Sequence, residues 1–503
     1  MKKVRIGIIS FFVVVVAFVL VFKITADNKK SEALEKMRSE TSILIKLDKE
    51  IRIIEKNNEE NILKYIEEAR KERAEKVKKY IIENTYYIKS NNVRATLINN
   101  SSSEFTVFNK GDTLVLINGE DPSNVVVRKK YNDLLEYTLD TKYITKDLSE
   151  MIHKKYKNVD YQKFDKTKGY PDNPYVNVKG VYVTGHSAST KRIDKLIDLA
   201  KNTDINTFVI DVKDDNGNLL FYSKDAENIT PVANKVTYIK DIESFVKKLK
   251  DNNIYLIARI VSFKSPRYAK EHRDRAITYQ NSSQLYVNNG MIWSSPYDRK
   301  LWEYNVQIAK DAAKVGFNEI QFDYVRFPAS GGGKLDKNLD YKNLLNENKT
   351  EAIQNFLKYA YKELSPYHVY ISADVFGWSA STSGDVGIGQ QWEALSNVAD
   401  VISPMIYPSH YGEGNYGLSV PDAFPYETVD RCVKDAIKRD ENLVTPAKIR
   451  PWIQDFTAPW VKGHIKYGDN EVRLQIKALK DNNINEYILW NSGNYYHEGA
   501  LTN

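Results

Sequence analysis

The stretch "NEIQFDYVRFP", residues 318–328, decides how the second half of the chain is read. Its body, 319–327, has the apolar density of a buried strand, yet it carries Gln321, Asp323 and Arg326. A charge inside a packed sheet is costly unless it is paired, so this strand must end at an opening or meet a partner. Side chains alternate between the two faces of a strand. Ile320, Phe322 and Tyr324 therefore share one face, expected against a helix layer, while Gln321 and Asp323 share the other.

The same kind of segment recurs on both sides of this one. Strand-like runs lie at 180–184, 207–212, 255–263, 319–327, 369–376, 401–408, 449–456 and 486–492. Amphipathic helical stretches such as "STKRIDKLIDLAKN" and "LWEYNVQIAKDAAKVG" separate them. Eight strands alternating with seven helices predict an α/β fold of the (β/α)8 TIM-barrel type. A doubly wound sheet would also alternate, but it calls for a glycine-rich phosphate turn after its first strand, and "VTGHSAST" is a poor match for one.

In such a barrel, chemistry sits at the carboxyl ends of the strands. That rule selects Asp211, Arg259, Asp323, Asp374, Tyr407, Asp455 and Trp490. Alternation turns Asp323 inward with Gln321, Asp374 inward with Ser372, and Arg259 inward with Ile257, and it puts Asp211 and Lys213 on one face. Carboxylates at the ends of strands four, five and seven are what cleavage of a glycosidic bond requires. One attacks or stabilises the oxocarbenium-like centre, and a second, kept protonated, donates to the leaving oxygen. Strands ~5 Å apart would bring Asp323 and Asp374 to the short separation of a retaining enzyme. Arg259 or Arg326 would supply the nearby positive charge. Trp293, Tyr324, Trp378, Tyr407, Trp452 and Trp490 are candidates for a stacking platform under sugar rings, and His410 in "YPSHY" for a substrate contact. The glycines of "SGGGK" (330–334) suggest a flexible loop over the mouth. The 7 histidines show no HxH or HExxH spacing, so neither a metal nor any other cofactor is expected.

The first third of the chain is organised differently. Lys2, Lys3 and Arg5 precede an uncharged apolar run from Ile6 to Phe22, so residues 1–27 read as an uncleaved signal-anchor, with a cleaved signal peptide as the alternative. The body would then be extracytoplasmic on a single-pass membrane protein, or secreted if the segment is removed. Residues 28–84 lack Pro and Gly and carry Leu44, Leu47, Ile51 and Ile54 at 3-4-3 spacing, which predicts a helical stalk with a surface for self-association. Residues 85–150 break into short β-rich runs between Gly, Asn and Ser turns, a small β domain, and 151–175 read as a linker before the barrel at 176–503. The single cysteine, Cys432, excludes an intrachain disulfide. A net charge of +7 over 503 residues, without a concentrated basic patch, points away from nucleic acid and suits an anionic envelope.

Two resemblances add to this. "NNVRATLIN", "FNKGDTLVLI" and "YTLDTKYIT" resemble parts of a bacterial SH3-type domain, which would imply a cell-wall ligand; a spacer without a ligand is the alternative. "KGVYVTGHSAST", "NTFVIDVKDDNG", "GFNEIQFDYVRFP" and "ISPMIYPSHY", in that order, resemble the glycoside-hydrolase-like family DUF4015. That resemblance implies a (β/α)8 barrel related to the α-amylase and α-galactosidase types, exported in bacteria, with the nucleophilic aspartate at the end of strand four, here Asp323. The α-amylase type has a glutamate on strand five where this chain has Asp374, and the α-galactosidase type has an aspartate on strand six where "SPMIYPS" has none. The expected roles are Asp323 as nucleophile, Asp374 as acid/base with Asp455 second in line for it and otherwise a stabiliser, and Asp211, Arg259, Arg326, Tyr407, His410 and Trp490 as substrate contacts. The expected substrate is a cell-wall or extracellular polysaccharide. A non-catalytic glycan-binding or scaffolding barrel is the competing class, and a lyase or deacetylase a third.

Overall fold

A computed structural model describes stretches of 85–145, Tyr156, and residues 158–502 apart from 289, 331 and 332. The expected signal-anchor and stalk, and Gly331 and Gly332 of the glycine loop, lie outside the described residues. Among the described residues, no helix is long and apolar enough to cross a membrane.

Short strands between Thr85 and Thr145 form a seven-stranded sheet in which every pairing is antiparallel. Its first strand, Thr85–Ile88, is inserted between Thr113–Asn118 and Ile144–Thr145. Phe108 and Tyr137 meet edge to face at 5.4 Å in its small core.

The barrel strands are β1 (Lys179–Val183), β2 (Thr207–Lys213), β3 (Tyr255–Val261), β4 (Glu319–Asp323), β5 (Tyr370–Phe376), β6 (Val401–Ile406), β7 in two pieces (Lys448–Ile449 and Trp452–Gln454) and β8 (Tyr487–Trp490). Each pairs in parallel with the next, and β8 returns to β1, so the sheet has no free edge. The crossovers carry α1 (Arg192–Asn202), α2 (Ile242–Lys250), α3 (Arg299–Val315), α4 (Lys349–Leu364), α5 (Trp392–Ser396), α6 (Pro425–Asp440) and α7 (Asp469–Asp481). The eight strands and seven helices are those the sequence predicts. Local chemistry sets several helix ends: the Asp298 carboxylate accepts from the Lys300 N–H at the start of α3, Asn348 does the same for Glu351 in α4, and Gly316 stops α3 at φ 109°. Residues 158–178 run along the barrel, where the Asn173 side chain donates to the carbonyls of Asn318 and His368 at 2.7 Å each.

Alternation on β4 places its apolar side chains as expected: Ile320 and Phe322 belong to the core between sheet and helices. The inward face of β4 is polar at three levels. At the bottom, Glu319 binds Arg450 at 2.7 Å, and Arg450 also binds Glu486 at 2.8 Å, so a buried cation between two acids satisfies all three charges. In the middle, Gln321 donates to Ser403 at 3.2 Å. At the top stands Asp323.

One expected parity fails. The β2–β3 register slips between Arg259 and Ile260, so Arg259 faces Asp211 but Ile260 faces Lys213. A bulge adds one residue and reverses the face of every residue beyond it. Lys213 therefore turns to the helix layer, donating to Asn305 of α3 at 2.7 Å, and does not share a face with Asp211.

Candidate active site

The carboxyl ends of β2 to β5 converge through their register. Gln321 lies opposite Ser372 and Phe322 opposite Ala373, so Asp323 and Asp374 come next, side by side on neighbouring strands ~5 Å apart. On the other flank of β4, Val261 lies opposite Asp323, and Arg259, two residues earlier, points into the same space.

Arg259 organises the acids. Its Nε and Nη2 both donate to Asp323 Oδ2, at 2.8 and 2.5 Å, and its Nη1 donates to Asp211 Oδ1 at 2.6 Å. Nη2 also reaches Asp215 in the loop after β2, at 3.2 Å. The second oxygen of Asp323 accepts from the Tyr324 N–H at 2.5 Å, and that of Asp211 accepts from the Tyr182 hydroxyl at 2.6 Å. Burial raises the Asp211 carboxyl to about 6, although Arg259 and the Tyr182 hydroxyl pull the other way. Burial also works against a charge on Asp215, but Arg259 and Lys264 outweigh it and hold that carboxyl below its usual range.

Asp374 is the odd member. It is 1% exposed, and among the described residues no cation is bonded to it. Its Oδ1 accepts from the Trp452 indole N–H at 2.7 Å, and its Oδ2 has no hydrogen-bond partner. Burial, then the charge on Asp323, push its carboxyl well above the usual range. The strand ends thus hold two neighbouring carboxylates in different electrostatic settings, one bonded to a guanidinium and one that feels the same guanidinium only at a distance. Tyr324, directly after Asp323, has φ 47°, a strained conformation for a bulky residue and of a kind that clusters at working sites.

The aromatic side of the mouth comes from β6 to β8 and β1. Trp490 stacks on Tyr182 at 4.1 Å and meets Trp452 edge-on at 5.7 Å, and Tyr407 lies 6.3 Å from Trp490. The Asp374 and Asp323 charges, after burial, hold the Tyr407 hydroxyl up, which places it near both. His410 lies 5.2 Å from Tyr407; burial depresses its imidazole below the usual value, which favours the neutral ring. Trp293 and Trp452, expected as stacking surfaces, are each only 2% exposed. Trp293 packs beneath Arg326, and Trp452 holds Asp374 instead of a sugar.

Two other candidates stand differently from expectation. Arg326 is not the partner of Asp323; its guanidinium sits among the rings of Trp293, Tyr324 and Phe376. Asp455 lies on the parity of Ile453, which packs in the outer core, whereas Trp452 points inward. Its carboxylate accepts from the His497 N–H at 3.0 Å and meets His497 Nδ1, so it is held by the loop after β8 and belongs to no bond network of Arg259. Tyr182, Asp215 and Lys264 join the site without having been assigned to it, and Trp452 joins it in another role than stacking; alternation on β1, applied as on β4, points Tyr182 inward. Among the described residues, no three His, Cys, Asp or Glu side chains gather as metal ligands.

The model of the family described as "Putative glycosyl hydrolase domain", DUF4015, matches residues 180–496. No curated protein matches the chain. Among solved structures, a hypothetical protein from Ruminiclostridium thermocellum ATCC 27405 is 34% identical, over 39% of this chain and 97% of that one, with a TM-score of 0.34. The PgaB (BpsB) glycoside hydrolase domain from Bordetella bronchiseptica is 11% identical over 65% and 99% of the two chains, with a TM-score of 0.46. The α-galactosidase TtGalA from Thermus thermophilus, in complex with stachyose, is 10% identical over 77% and 75%, with a TM-score of 0.41.

Proposed function

The chain belongs to the DUF4015 family of glycosyl hydrolase domains, and from that premise we propose that it cleaves a cell-wall or extracellular polysaccharide by a two-carboxylate, retaining mechanism. Asp323 is the nucleophile: its counter-charge is Arg259, and its place at the end of β4 faces the barrel mouth. Asp374 is the acid/base. The observation that carries this reading is its Oδ2, which has no protein partner on a carboxyl held well above its usual range. A proton kept on that atom has nowhere in the protein to go and is available to a leaving oxygen. After the first step, the resulting carboxylate takes a proton from water, which attacks the glycosyl–Asp323 ester. Asp211 and Arg259 hold Asp323 in place, while Tyr407, His410 and Trp490 line the sugar side. Both carboxyl groups are nearly closed to solvent, so substrate entry requires side chains at the mouth to move aside. Asp455 supports the loop after β8 and is not an acid of this reaction.

In this reading residues 1–27 anchor the protein with its body outside the membrane, and the β sheet within 85–150 is an SH3-like wall-binding unit. The test is the full chain in detergent, incubated with a panel of bacterial polysaccharides and assayed for new reducing ends, beside Asp323→Asn. Cleavage by the parent and not by the variant is expected. Binding without cleavage on every polysaccharide would instead support a glycan-binding barrel.

A further inference from the structure

We infer that Arg326 is a substrate-reading residue, and that the glycan carries an oxyanion, a carboxylate or a phosphate, on the sugar bound beside Asp323. This rests on the glycan-cleaving reading above and names the substrate class for it. The other buried guanidiniums at the barrel axis have acids: Arg259 has Asp211 and Asp323, and Arg450 has Glu319 and Glu486. Arg326 is 8% exposed, and among the described residues no carboxylate lies within ion-pair distance of it. Among the described residues its one hydrogen bond runs from Nη1 to the Phe327 carbonyl, 2.9 Å away. Asp323 acts on it only through space, since the hydrogen bonds of that carboxylate run to Arg259 and to the Tyr324 N–H. A buried charge without a bonded acid is expensive, and an anionic ligand would complete this one.

The surroundings fit recognition better than packing. The guanidinium carbon lies 4.7 Å from the Trp293 ring centroid, 5.1 Å from Tyr324 and 4.6 Å from Phe376. Rings from three segments surround the flat group and restrict its position, and rings accept no N–H bond of the strength a carboxylate or phosphate does. None of its nitrogens is among the sealed polar atoms without a partner, so its N–H edge is not closed off completely from solvent. Burial lowers Arg326 from its ordinary value to about 10, so it stays charged under physiological conditions. Tyr324 directly follows the strand that carries Asp323, and Phe376 ends the strand that carries Asp374, so the bound anion would lie next to the cleaved bond. A fork of N–H donors in a fixed plane matches carboxylate and phosphate oxygens in pairs.

The experiment measures equilibrium binding of the full chain to neutral sugars beside their acidic counterparts: glucose, glucuronate and glucose 6-phosphate, and N-acetylglucosamine beside N-acetylmuramic acid. The expected result is a preference of about tenfold or more for at least one acidic sugar over its neutral counterpart; which of them shows it separates carboxylate from phosphate. In Arg326→Met that preference disappears, with an unchanged melting profile. Arg326→Lys, which keeps the charge and loses the fork, is expected to weaken it about threefold or more and decides the matter if the methionine variant does not fold. No preference in the parent chain, or one unchanged in the substituted chain, overturns the proposal. Because binding is read without turnover, a missing hydrolase activity would not imitate that failure. Cleavage confined to neutral glycans would overturn this inference and leave the hydrolase reading standing.

Discussion

Replacing Arg259 with methionine tests whether one guanidinium holds the strand ends together. Arg259 is 2% exposed and bonds Asp323 twice and Asp211 once, with both acids at 5% exposure or less. Removing one partner of a buried pair leaves the other charged and dry, at a cost of about 3–5 kcal/mol. The contact with Asp215 adds little, because that side chain is 45% exposed and water covers it. Part of the loss is recovered by protonation. Asp211 already sits at about 6 in the folded protein, above its ordinary value, so the folded state holds its proton more tightly than the unfolded chain does. The stability linked to that proton is fully present below about pH 4 and is lost as pH rises through about 6. Without Arg259 its carboxyl moves further up, and the window of loss extends toward neutrality at about 1.4 kcal/mol per unit. Urea unfolding followed by tryptophan fluorescence should therefore show the full cost near pH 7.5 and a clearly smaller one near pH 5. The triple variant R259M/D211N/D323N, which removes the stranded charges, should recover much of it. A loss below about 1 kcal/mol at pH 7.5, or an equal loss at both pH values, would refute the account of the cluster.

The geometry carries three further expectations. Asp374→Asn should lower cleavage of a polysaccharide by about 10²–10⁴-fold but affect an aryl glycoside with a good leaving group far less; equal losses would show that Asp374 is not the acid. Trp452→Phe removes the hydrogen bond that favours ionised Asp374, so the alkaline limb of the kcat/KM profile should move up by about one pH unit, and an unmoved or lowered limb contradicts the assignment. Val386 has φ 56°, a conformation a β-branched residue resists. Val386→Gly should therefore raise stability by about 1 kcal/mol in thermal melting, and a loss would mean that the side chain contributes more than the strain costs.

Much of the fold is legible in the chain because its signals are local. Alternation on β4 separates Ile320 and Phe322 from Gln321 and Asp323 without knowledge of any neighbour, and the apolar and amphipathic runs give the eight strands and seven helices in order. The same rule places Asp374 and Arg259 inward. It fails at Lys213, where a bulge in the pairing with β3 resets the parity, and nothing within "TFVIDVK" marks that slip. It also gives no reason to prefer Arg259 over Arg326 as the partner of Asp323. Arg326 is three residues away, whereas Arg259 is 64 away and adjacent only through the β3–β4 register.

The sequence by itself determined the barrel, the family and the presence of strand-end carboxylates, since each is written in short-range periodicity or in contiguous motifs. The tertiary structure decided how those carboxylates differ. Asp323 and Asp211 meet a guanidinium across strands, Asp374 meets only an indole, and Asp455 is turned away to His497. An aspartate's proton affinity is set by burial and by the charges beside it, and those neighbours come from register and loop path, which join residues far apart in the chain.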